Sequence, residues 1–92
     1  MKKINSNFQI GEFYTHMVDD EVRDIFVLSE LENIKNFKMA CTNMCVRMGR
    51  NGFACRTRGK QKICWVNHMR ESTEDEKEFY KKGVSAKGFF IE

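Results

Sequence analysis

The sequence predicts a single small α+β domain in which antiparallel hairpins pack on one central helix. Three observations carry this expectation. Apolar residues recur at steps of three and four between Ile34 and Met48. Two flanking stretches are rich in strand formers around short polar turns. A chain of 92 residues has room for one core only.

Residues 12–18 and 21–28 are dense in Phe, Tyr, Thr, Val and Ile, which suit a pleated, half-buried surface. Asp19-Asp20 between them favours a turn, and a two-residue turn there sets Phe13 beside Phe26. Residues 1–11 read as a loop or short edge strand. Ser29, followed three positions later by Glu32, has the capping-box pattern, so a helix is expected from there to about Arg50. Ile34, Phe37, Cys41, Met44, Cys45 and Met48 share its core face. Lys35, Lys38, Met39, Thr42, Asn43, Val46 and Arg47 lie opposite, with Arg50 nearby, and Gly-Arg-Asn-Gly at 49–52 ends the helix.

A second hairpin is expected from residues 53–58 and 61–66. Gly59-Lys60 forms its type II′ turn, Cys55 faces Cys64, and Trp65 shares a face with Arg56 and Arg58. Beyond Arg70, Ser72 is a good N-cap. Glu74, Asp75, Glu76 and Glu78 suit the positive end of a helix dipole, and Lys81, Lys82 and Gly83 suit its close. Phe89-Phe90-Ile91 is too apolar to float free and reads as a last strand or a contact with a second copy of the chain, making a homodimer. The domain is therefore residues 1–92, with a basic helix–hairpin unit at 33–70 and an acidic helix and apolar tail at 71–92.

Charge points to function. Residues 33–70 hold nine Lys and Arg and no Asp or Glu, while all thirteen acids lie in the flanks. Clustered cations attract polyanions, so the expected partner is nucleic acid, RNA or DNA. Lys35, Lys38, Arg47 and Arg50 would meet phosphate from the helix. Arg56, Arg58, Lys60 and Lys62 would do so from the hairpin, with Arg70 beyond it. Thr42 and Asn43 are the candidates for base edges, and Trp65 for base stacking. Six to nine such phosphate contacts would make binding steeply salt-dependent. The acidic flanks are the competing explanation, since they could complement the same cations within the chain.

Asn36-Phe37-Lys38-Met39-Ala40-Cys41, Arg47-Met48-Gly49-Arg50-Asn51-Gly52-Phe53, Arg56 and Trp65 together resemble small phage-encoded proteins of largely unassigned function. In those, a basic helix ends in a Gly-rich turn before a Phe…Arg strand and a Trp-bearing partner, much like half of a winged-helix domain. The resemblance implies a viral protein that works by binding, in the host cytoplasm. It also supplies the second functional reading: an inhibitor that blocks a host or defence protein, such as a toxin ribonuclease, a CRISPR-type effector or a transcription component.

No enzymatic reading emerges. His16 and His68 lack companions at recognisable spacing, and no phosphate loop or nucleophile motif is present. Cys41, Cys45, Cys55 and Cys64 are expected as free thiols, because no apolar segment suited to a signal peptide follows the basic N-terminus. A zinc site on those four is the alternative, disfavoured by a spacing without two tight knuckles. No cofactor is expected, and no stretch is apolar enough to span a membrane.

Overall fold

Lys35 and Asn36 both adopt positive φ, 50° and 73°. That is the backbone of a two-residue type I′ hairpin turn, and no helix passes through it. The computed structural model, which describes residues 8–50 and 53–85, accordingly has strands where the central helix was expected. Strands β1 (Phe13–Met17) and β2 (Arg23–Val27) form the first hairpin. Strands β3 (Glu30–Ile34) and β4 (Phe37–Met48) flank the Lys35-Asn36 turn. Strand β5 (Ala54–Trp65), a 3-10 turn (Val66–His68), strand β6 (Met69–Glu71) and helix α1 (Glu74–Ser85) complete the order.

The antiparallel sheet runs β3-β4-β2-β1-β6, with β5 on the other side of β4. β2 and β3 lie end to end along one edge of β4, from Arg23↔Met48 to Phe26↔Cys45 and from Glu30↔Cys41 to Ile34↔Phe37. They are two halves of one bent strand. The bend is held at Ser29 and Thr42. The Ser29 amide and hydroxyl both donate to the Cys41 carbonyl (2.9 and 3.1 Å), and Thr42 Oγ1 lies 2.7 Å from the Val27 carbonyl. Ser29 thus closes a cross-strand contact instead of capping a helix.

β4 misleads sequence reading because it is covered on both faces. Ala40, Cys41 and Thr42 are buried in succession, as are Cys45 and Val46. Two buried groups four residues apart imitate a helical stripe, and the polar alternation that marks a one-sided strand disappears. β5 is the second correction. It does not reverse at Gly59 but runs straight through, with Gly59 at φ 103°. Thr42 pairs with Gln61 and Met44 with Arg58, so Asn43 faces both Gly59 and Lys60 in a β-bulge. Cys55 and Cys64 therefore pair not with each other but with Arg47 and Ala40 of β4.

The first hairpin forms as expected, one residue out of register. Phe13 pairs with Val27, and Tyr14 with Phe26. Asp19 explains the shift, because Oδ1 accepts the amides of Glu21 and Val22 (2.8 and 2.9 Å), which lengthens the connection beyond two residues. Two cross-strand rows then sort the core. Tyr14, Phe26 and Cys45 face a cluster with Leu28, Ala40, Cys64 and Met69. Thr15, Ile25, Val46 and Arg56 line the opposite face. There Phe79, Tyr80 and Val84 of α1 pack on Val46 and Ala54, and the Tyr80 ring meets Phe13 edge-on at 5.4 Å.

Helix α1 is capped by Thr73, one residue beyond the expected Ser72. Thr73 Oγ1 accepts the Glu76 amide, and Glu76 Oε1 accepts the Thr73 amide, a reciprocal capping box. Gly83 lies inside the helix rather than after it. The tail residues Phe89-Phe90-Ile91, with the dimer contact expected of them, lie outside the described residues, as do Asn51 and Gly52 of the Gly-rich turn.

Glu76 is 1 % exposed, yet charged. Oε1 accepts from Thr15 Oγ1 (2.9 Å), Arg70 Nη1 (2.8 Å) and the Thr73 amide (2.8 Å). Oε2 accepts from Arg23 Nη1 (2.8 Å) and Arg70 Nη2 (2.7 Å). Burial alone would raise its pKa, but the bonds from Arg70, Thr73, Thr15 and Arg23 together hold it down at about 2, against an ordinary 4.5. A lowered folded-state pKa contributes stability that is complete above the ordinary value and lost as pH falls toward 2, here on the order of 3 kcal/mol. Urea unfolding of the wild type between pH 5 and pH 2 should show that loss, and Glu76→Gln should flatten it. At pH 7 Glu76→Gln should cost roughly 2–4 kcal/mol, since two guanidinium groups lose their counter-charge. Gly59→Val should cost about 1–3 kcal/mol by the same measurement, because a β-branched residue strains at positive φ.

Candidate nucleic-acid interface

The basic stretch does not present nine outward cations. β4 lies between β5 and the acid-bearing β2 and β3, so acids of those strands are within reach of cations on β4 and, across it, on β5. Asp24 is opposite Arg47, and its carboxylate accepts from Arg47 Nε and Nη2 (2.7 and 2.9 Å), a bidentate pair that raises the guanidinium pKa. Arg50 Nε reaches Glu21 (2.6 Å) and its Nη2 reaches Asp19 (3.4 Å) across the loop. Lys60 pairs with Glu30 (3.2 Å) and Lys62 with Glu32 (3.1 Å). Arg70 is bound to Glu76, and Arg56 is buried, donating from Nη1 to the carbonyls of Gly83 and Val84 at the end of α1 (2.8 and 3.1 Å).

Thr42 is 1 % exposed and spends its hydroxyl inside the sheet, so it reaches no base edge. Asn43 is exposed at the bulge, and Arg58 is exposed on β5. Lys35 and Lys38 differ from the rest: both are exposed, and neither has an ion pair with any described residue. They flank the tip of the β3–β4 hairpin, far in sequence from the expected wing.

That tip also gathers aromatic surface. The Phe37 side chain is 59 % exposed, although sequence periodicity assigned it to the core. Its ring meets half-buried Trp65 edge-on, with centroids 5.8 Å apart and planes at 60°. Cross-strand pairing places Trp65 opposite Met39, two residues from Phe37 and on its side of β4. Phe37, Trp65, Asn67 and His68 line a cleft of about 250 Å³. A neighbouring cleft of about 280 Å³ is lined by Phe8, Leu31, Asn36, Phe37, Lys38, Val66 and Asn67. No family, curated protein or solved structure matches this chain.

Phe37, Asn36, Asn67 and His68 are absent from the sequence-based site. The available signal was the Asn36 turn residue beside an aromatic: a hairpin there would have carried Phe37 to a tip. A third, polar cleft of about 280 Å³ lies between Asp24, Cys45, Arg47, Cys55, Thr57, Gln61, Lys62 and Ile63. Its charged groups are already paired, Asp24 with Arg47 and Lys62 with Glu32 outside the cleft.

The cysteines do not converge. Among the described residues no three His, Cys, Asp or Glu side chains are grouped to hold a metal. Cys41, Cys45 and Cys64 are buried. Burial pushes the Cys45 thiol up strongly and the Cys64 thiol up to about 12, so neither offers a thiolate at neutral pH. With a thiol reagent under native conditions, the half-buried Cys55 should react first and the other three only on unfolding. Cys55→Ser should remove the fast phase, which absorbance of the released chromophore would record.

Proposed function

We propose that this protein binds single-stranded nucleic acid without catalysis, through the tip of the β3–β4 hairpin. One observation carries the reading. An exposed Phe37 beside Trp65 stands between the only two Lys residues of β4 and its turn, Lys35 and Lys38, both without an ion pair among the described residues. Aromatic faces stack on any base, and unpaired ammonium groups meet phosphate, which is how strands are held without reading a duplex groove. The internal pairing of Arg47, Arg50, Lys60, Lys62 and Arg70 supports a small charged footprint in place of a broad basic one.

Trp65 is the only tryptophan of the chain, so its fluorescence reports the site directly. Adding oligo(U) or oligo(dT) should quench it saturably, while duplex DNA should not. Two phosphate contacts predict a slope of log affinity against log salt near about −1.4, far shallower than six or more contacts would give. Lys35→Gln with Lys38→Gln should bring that slope close to zero, whereas Lys60→Gln with Lys62→Gln should leave it unchanged. Equal affinity for duplex and single strands, or no quenching by either strand, would sink this reading and leave the tip as a protein contact.

A further inference from the structure

Phe37 and Asn67 line both of the clefts at the tip, so the two clefts adjoin at these residues. One side offers Trp65 and His68; the other offers Asn36, Lys38 and an apolar floor of Phe8, Leu31 and Val66. Each cleft, at about 250 and 280 Å³, falls short of the roughly 300–1,000 Å³ that holds a drug-sized molecule, and suits one flat ring system. Phe37 is also mounted rigidly for a surface residue. It directly follows the type I′ turn, pairs with Ile34 across the hairpin and is buttressed edge-on by Trp65.

We infer that the binding unit is a dinucleotide step, with Phe37 inserted between two neighbouring bases and one base seated in each cleft. This rests on the single-strand reading above and specifies its ligand. The base beside Trp65 stacks between two aromatic side chains, and the base on the far side lies over Phe8 and Val66. Lys38 lines the second cleft and takes the phosphate that joins the two nucleosides. Asn67, shared by both clefts, is placed to hydrogen-bond the edge of either base with its amide. An unstacked step is required, which excludes a regular duplex and separates this mode from phosphate attraction alone.

The test compares mononucleotide, dinucleotide and hexanucleotide in uridine and thymidine series, titrated against the full chain by Trp65 fluorescence. The dinucleotide should bind at least about 5-fold more tightly than the mononucleotide, as one further stacked base requires. The hexanucleotide should add little more than the factor due to its several binding frames. Phe37→Ala should abolish the gain from mononucleotide to dinucleotide. With the side chain 59 % exposed, that substitution should leave the fold intact, which circular dichroism checks directly. Asn67→Ala, on an exposed residue of the 3-10 turn, should change the preference among the four bases while keeping that gain. Equal affinities for mononucleotide and dinucleotide, with the hexanucleotide still binding, would overturn the two-base step and leave the single-strand reading standing. Retention of the gain in Phe37→Ala would overturn the two-base step equally. Absence of binding by all three overturns both.

Discussion

The Glu76 carboxylate ties three strands of the sheet to the start of the helix. It accepts hydrogen bonds from β1 through Thr15, from β2 through Arg23, from Arg70 of β6 and from its own helix cap at Thr73. A buried anion without partners would protonate or unfold the chain; with five donors it stays charged and fixes geometry. Because those donors come from three strands, the helix can seat only one way on the sheet. That seating brings Phe79, Tyr80 and Val84 onto Val46 and Ala54, and the helix C-terminus onto Arg56. The Arg56 guanidinium meets the last-turn carbonyls, so both ends of α1 are closed by side chains from elsewhere in the fold or from its own cap.

The second constraint is the central position of β4. It pairs from Met39 to Met48 with β5 on one side, and on the other with β3 over residues 37–41 and β2 over residues 45–48. This register brings acids of β2 and β3 within reach of Arg47, Lys60 and Lys62, while Arg50 and Arg70 meet acids of the first hairpin's loop and of α1. Exposed pairs such as Lys60–Glu30 add little stability individually, but they remove charge from the outer surface. The hairpin tip projects past the acids of its neighbours. That is why Lys35 and Lys38 keep their charge available, beside the two aromatic rings that the sheet leaves half uncovered.

Parts of this were legible in the sequence. The first hairpin was, because Asp19-Asp20 sits between two stretches of strand formers. The C-terminal helix was too, from its acidic first turns and its docking pair Phe79 and Tyr80. Trp65, Lys35 and Lys38, three of the candidates named from the sequence, also lie together at the tip. The central helix was not there, and Ser29, Gly59 and the stripe through Cys41 and Cys45 show why. Each is a local signal with two structural uses. Ser before a Glu caps helices but also bonds cross-strand carbonyls; Gly at positive φ makes turns but also bulges; a four-residue spacing of buried groups marks a helix or a strand covered on both faces.

By itself the sequence determined the local chemistry: one domain's worth of apolar residues, a capped acidic helix, and a middle stretch that holds nine cations and no acid. Those follow from residue type and short spacing, which need no partner to be read. Only the tertiary structure decided which cations remain unpaired and which aromatics reach solvent. Strand order and register set those outcomes, through contacts between residues as distant as Arg23 and Glu76 or Phe37 and Trp65. A one-residue change of register moves every side chain of a strand to its other face, so no local pattern could have fixed them.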